Sequence, residues 1–159
     1  MVRGAPADRE RAVARAVELG INYLDTAPSY GSGQSERNTG AVLRALRPDV
    51  IVGSKCRLSP ADLADVPGAL TRAVETSLEP ARAFLASISF TSTIRWRGSG
   101  ASGASAVADV LDAVVPAARR LQEQGKIRFF GVTALGETGA LHRVSRAAPS
   151  TPLRSASTC

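Results

Sequence analysis

Apolar positions along the chain follow helical spacing in some stretches and short continuous runs in others, and the two kinds of stretch alternate. Val13, Ala16 and Val17 share one face of a helix predicted over 8–19, with Gly20 as its left-handed stop. Tyr23-Leu24-Asp25 follows as a short buried strand. A second helix is predicted over 36–46 with Val42, Leu43 and Leu46 facing inward, and Pro48 ends it. The β-branched run from Val50 to Lys55 is a strand. Leu70, Val74 and Leu78, four apart, mark a third helix. Val107, Val110, Leu111, Val114, Ala118 and Leu121 mark a long fourth helix. Pro116 falls inside it and requires a kink, because proline lacks an N–H and its ring meets the carbonyl four residues back. Gly125 stops that helix and Ile127 to Val132 forms the next strand. Short buried strands alternating with helices predict a parallel α/β architecture.

Two segments break the rhythm. A strand is due between the third and fourth helices, and the sequence offers Ser87-Ile-Ser-Phe-Thr-Ser-Thr-Ile-Arg-Trp-Arg-Gly-Ser-Gly-Ala-Ser-Gly, a strand running into a Gly/Ser loop. From Ser145 to Cys159 the chain is rich in Ser, Thr, Pro and Arg without periodicity, and reads as disordered.

Composition narrows the field. The chain has 159 residues, 44% of them hydrophobic, enough for one globular domain. Its net charge of +6 comes almost wholly from arginine, spread over helices and tails with few aromatics, so nucleic-acid binding is not expected. Cys56 and Cys159 give no disulfide framework, and with the single His142 they give no metal spacing. No apolar run nears the roughly 18 residues of a membrane span, and the N-terminus lacks a signal-peptide pattern. A cytoplasmic location is the expectation.

The candidate chemistry sits at strand ends. Gly20-Ile-Asn-Tyr-Leu-Asp-Thr-Ala-Pro-Ser-Tyr-Gly31 places Asp25 at the end of one strand and Tyr30 on the loop after it, and Ile51-Val-Gly-Ser-Lys55 places a lysine at the end of the next. Taken singly, Asp25 reads as a loop cap, Tyr30 as a turn aromatic and Lys55 as a solvated strand end. At this spacing, followed by Gly33-Gln34-Ser35-Glu36, they resemble the aldo/keto reductases. Gly-Lys126-Ile-Arg-Phe-Phe-Gly-Val-Thr133 resembles the fifth strand of that family. The resemblance covers about residues 1–78 and 104–144. It implies a partial (β/α)8 TIM barrel, roughly the second to fifth βα units, and reduction of a small aldehyde or ketone with NADPH. A complete barrel takes roughly 250 residues, so the chain is expected to be a fragment, with a barrel-like part at 1–144 and an atypical tail at 145–159. By the same resemblance Tyr30 is the general acid, Lys55 the cation that eases loss of its proton, and Asp25 the partner that holds Lys55. Asp25 and Thr133 would touch the cofactor. Ala134 stands where the family usually has asparagine.

The family's carbonyl-orienting histidine has no counterpart near Ser92 and Thr93. A shift of reading frame accounts for that. Permitted codons from Leu85 through Trp96, read two bases on, can spell Arg-Val-Asp-Ile-Val-His-Leu-His-Asn-Pro-Leu, which resembles the family's fourth strand. The same shift from Ala148 to Cys159 can spell Ala-Phe-Asp-Thr-Ala-Gln-Val-Cys-Phe-Asn-Leu, which resembles its sixth. The competing account of 79–103 and 145–159 is a natural Ser-rich insertion and tail. As written, the chain is expected to fold poorly and to lack turnover. The rival function classes are a non-catalytic barrel-fold partner subunit and a pseudogene product.

Overall fold

The computed structural model describes residues 2–79, 88–96, 107–136 and 138–147. Helix α1 (Pro6–Glu18) leads through Gly20, at φ +90°, into strand β1 (Tyr23–Asp25). Helix α2 (Gln34–Leu46) and strand β2 (Ile51–Arg57) follow, then a 3₁₀ turn (Pro60–Asp65) and helix α3 (Val66–Leu78). Strand β3 (Ile88–Trp96) occupies the place where one was due. The fourth apolar stretch comprises α4 (Val107–Asp109), a π turn (Val110–Val114) and α5 (Val115–Glu123). Strand β4 (Phe129–Gly136) and helix α6 (Thr138–Ala147) complete the described chain.

The four strands form one parallel sheet in the order β1-β2-β3-β4. Sequential order with a helix in each crossover is the arrangement of consecutive βα units. Alternation along the strands then assigns two faces. Leu24 and Val52 pack with Val17, Leu43 and Val50 beneath α1 and α2. Cys56 packs with Val66, Leu70, Val74, Val110, Val114 and Leu121 beneath α3, the π turn and α5. The helices therefore cover the face of Leu24, Val52 and Cys56. The opposite face carries Tyr23, Asp25, Gly53 and Lys55.

The proline-induced distortion appears as the π turn that ends immediately before Val115 and Pro116. Widening the turn to i→i+5 bonding relieves the clash that Pro116 would make in a regular helix.

Several sequence expectations are corrected. Tyr23 is exposed rather than buried, because β1 lies at the edge of the sheet and pairs only with β2 among the described residues. Leu46 is exposed, because it is the last residue of α2 and Arg47 turns the chain away at φ +48°. Helix α6 runs to Ala147, past the start of the expected tail at 145, while 148–159 lie outside the described residues. His142 lies on α6 and is exposed.

Candidate functional site

The ends of β1 and β2 bring three of the four expected site residues together. Asp25 pairs in register with Gly53, so Lys55, two residues on, is its diagonal neighbour on the same face. The Lys55 Nζ donates to Asp25 Oδ2 at 2.5 Å and to the Thr26 carbonyl oxygen at 3.1 Å. It also lies 4.9 Å from the centroid of the Tyr30 ring. The Lys55 side chain is 21% exposed, Asp25 47% and Tyr30 41%, so the cation is sheltered while its two partners stay open to a ligand.

These contacts set the protonation of Lys55. Burial is the largest single influence and pushes its pKa down. Hydrogen bonding to Asp25 and Tyr30, followed by their charges, pushes it up and prevails, so the pKa stands above the ordinary lysine value. Lys55 is thus a fixed cation across the physiological range. Among the described residues the other cationic side chains are arginines, save Lys126.

The loop that carries Tyr30 is held at both ends. Tyr30 N–H donates to the Ala27 carbonyl at 3.0 Å, and the Tyr30 carbonyl accepts from Ser35 N–H at 3.2 Å. Between them Gly31, Ser32 and Gly33 all have positive φ, at +62°, +51° and +80°. Glycine adopts that region freely, and the one serine there is strained. The strained turn survives because its base is clamped. Thr26 Oγ1 donates to Ser35 Oγ at 2.8 Å, and Thr39 Oγ1 donates to the Ser35 carbonyl at 2.8 Å, all within the buried layer.

A second buried polar contact lies under Lys55. Ser54 Oγ donates to Glu36 Oε1 at 2.6 Å, and lies 3.4 Å from Ser77 Oγ, joining β2 to α2 and α3. Sequence reading missed Thr26 and Ser54. The signal for Glu36 and Ser35 was present in the Gly33-Gln34-Ser35-Glu36 run, but nothing in one dimension tells which strand residues meet them.

Thr133, the fourth expected residue, lies elsewhere on the sheet. It pairs with Thr93, and Thr93 with Arg57, so its rung is two residues beyond that of Lys55 and two strands away. The described residues hold no group of three His, Cys, Asp or Glu suited to a metal ion. No described helix is long and apolar enough to cross a membrane.

The aldo/keto reductase family model matches residues 3–153. The chain belongs to the aldo/keto reductase family. The match runs through 79–103, which sequence reading had set apart. L-galactose dehydrogenase of Arabidopsis thaliana is 30% identical over 131 residues, covering 80% of this chain and 39% of that protein. An uncharacterized oxidoreductase of Bacillus subtilis, YqkF, is 26% identical over 124 residues, covering 76% and 38%. The chain therefore spans about two fifths of the length of these relatives. Among solved structures, an aldo/keto reductase from Klebsiella pneumoniae in complex with NADP and acetate superposes with a TM-score of 0.66 at 29% identity, covering 92% of this chain and 46% of that one. The same fold is seen in glycerol dehydrogenase AKR11B4 of Gluconobacter oxydans, with a TM-score of 0.65 at 24% identity. Membership of this family brings with it an α/β architecture taken from the aldo/keto reductase barrel.

Proposed function

We propose that this chain carries the acid–base end of a carbonyl-reducing site, set on the second to fifth βα units of a (β/α)8 barrel, in a cytoplasmic NADPH-dependent aldo/keto reductase. The observation that carries this reading is the Asp25–Lys55–Tyr30 cluster, with a sheltered cation 2.5 Å from a carboxylate and 4.9 Å from a phenol ring centroid. Barrel chemistry collects at the C-terminal ends of strands, where Asp25 and Lys55 stand.

The exposed face fits the reacting end of a nicotinamide. It offers an accessible phenol, a fixed cation and an open carboxylate on one surface. Asp25, and Thr133 on β4, are the residues that would hold that end. NADPH, when bound, supplies the hydride. Tyr30 Oη gives its proton to the carbonyl oxygen as negative charge develops there. Lys55 stabilises the phenolate left behind, and Asp25 with the Thr26 carbonyl keeps Lys55 from swinging away.

The rival reading, a non-catalytic partner, is favoured by one observation: the chain's single histidine, His142, is on α6. For that reason the 159-residue chain by itself is expected to show no turnover.

A graft tests the site apart from the rest of the barrel. Residues 23–57 of this chain replace the matching segment of the Klebsiella pneumoniae enzyme, and NADPH oxidation is followed with a panel of aldehydes and ketones. The graft is expected to turn over and its Tyr30→Phe variant to lose about 10²–10⁴ in kcat. Equal turnover by the two would remove Tyr30 from the role. NADPH oxidation by the ungrafted chain that disappears in its Tyr30→Phe variant would overturn the expected inactivity and keep the site assignment.

A further inference from the structure

We propose that Thr26 is a positioning residue which couples the placement of Lys55 to that of Tyr30; this rests on the catalytic reading above. Three bonds of one residue converge on the two groups. The Thr26 carbonyl accepts from Lys55 Nζ at 3.1 Å, and its N–H donates to the Gly53 carbonyl at 2.8 Å, which fixes that carbonyl against β2. Its hydroxyl donates to Ser35 Oγ at 2.8 Å. Ser35 in turn donates its own N–H to the Tyr30 carbonyl at 3.2 Å. A path of four residues thus runs from the ammonium to the phenol-bearing backbone without leaving the protein.

The energetics favour a fixed clasp over an incidental contact. Thr26 and Ser35 are both almost fully buried, so neither hydroxyl has water as a ready substitute partner. Removing the Thr26 hydroxyl takes one hydrogen bond from the Ser35 side chain at a position sheltered from water. The loop between them holds three consecutive left-handed residues, including strained Ser32, which an untied loop would leave. Opening the clasp frees Tyr30 to drift from the cation while leaving the Lys55–Asp25 pair in place, because the Thr26 carbonyl and N–H are backbone groups.

The test separates the clasp from the catalytic reading by using no turnover. Amide hydrogen exchange and the ring carbon signals of the chain's two tyrosines are recorded for the full chain and for Thr26→Val, Thr26→Ser and Ser35→Ala, with Tyr30→Phe assigning the rings. Thr26→Val keeps the branched shape and loses the hydroxyl. Protection at the Tyr30 and Ser35 amides is expected to fall about tenfold, the equivalent of one lost hydrogen bond. The Val52 and Ser54 amides in β2 should hold theirs. The Tyr30 ring signal should move and the Tyr23 signal stay, and Thr26→Ser should restore both. Ser35→Ala should reproduce Thr26→Val. Unchanged protection and an unchanged Tyr30 ring in Thr26→Val would overturn the proposal, and so would a parent chain without protection at Val52 and Ser54, since poor folding would then leave no clasp to open. So would failure of Thr26→Ser to rescue, or a global loss of protection in both Thr26→Val and Ser35→Ala, which would make the pair a general core contact. Should Thr26→Val alone unfold, Ser35→Ala reads the same bond from its other end. The graft and its Tyr30→Phe variant decide the catalytic reading independently.

Discussion

The phenol of Tyr23 lies over Gly53, in the space that a β-carbon at that position would occupy. A side chain on Gly53 would meet the Tyr23 hydroxyl and ring together. Gly53 is also the register partner of Asp25, so the absence of a side chain there lets Tyr23 lie flat beside the site. Gly53→Ala is expected to destabilise the fold by about 1–3 kcal/mol through overpacking. Chemical denaturation of Gly53→Ala, Tyr23→Ala and the double variant checks this. The double variant should recover most of the loss, since the clash needs both partners. Purely additive effects would point to a backbone cause at Gly53 instead.

Glu36 is a buried carboxylate whose Oε1 receives the Ser54 hydroxyl at 2.6 Å. Truncation removes the acceptor of the Ser54 hydroxyl in a layer where Glu36, Ser54 and Ser77 are all buried. Glu36→Ala is therefore expected to cost about 1–3 kcal/mol, and Glu36→Gln less, because its amide oxygen can still accept. The denaturation midpoints of the two variants, compared with that of Ser54→Ala, test it. A Glu36→Ala midpoint equal to that of the parent would show that the layer is wet.

Lys55 has a pKa raised above its unfolded value, so folding favours its cationic form. The stability it contributes is complete below the unfolded pKa of about 10.4 and is lost as pH rises through the higher folded value. Asp25 is half exposed, which limits the contribution to about 1 kcal/mol or less. Midpoints for the parent and Lys55→Met should therefore differ by a constant amount at neutral pH. The gap should narrow between about pH 9 and pH 12. A gap that widens with pH would reverse the sign assigned here.

The coding DNA across 85–96 is expected to spell Val-His-Leu-His in the shifted frame. Strand β3 lies within this segment, paired to both β2 and β4. Direct sequencing checks it, and codons that cannot spell that peptide would leave a natural Ser-rich insertion as the account of 79–103.

Much of this was legible in the sequence because amphipathic spacing and turn residues act locally. Gly20, Gly125 and Pro116 mark two helix ends and one distortion where the physics of their own backbones demands them. The strand at Ile88–Trp96 was less legible. Its Ser/Thr-rich pattern is a weak signal, and the strand is defined by backbone ladders to β2 and β4 that any sequence can make. Edge position exposed Tyr23, and a helix terminus exposed Leu46, neither of which periodicity encodes. Asp25, Tyr30 and Lys55 were legible by spacing, whereas Thr26 and Ser54 were not. Their partners are on other elements, and a buried hydroxyl looks like any other Ser or Thr until those elements are packed.

Strand β1 is joined to β2 by only three rungs, Tyr23 to Ile51, Leu24 to Val52 and Asp25 to Gly53. Shifting that ladder by one residue would turn Asp25 toward the helices and set Leu24 facing Lys55. The Lys55–Asp25 bond spans 30 residues of chain and is lost in such a one-residue slip. It is therefore an internal proofreading contact: the same pair that would steady a reacting phenol also reports that the shortest strand of the sheet has docked the right way round.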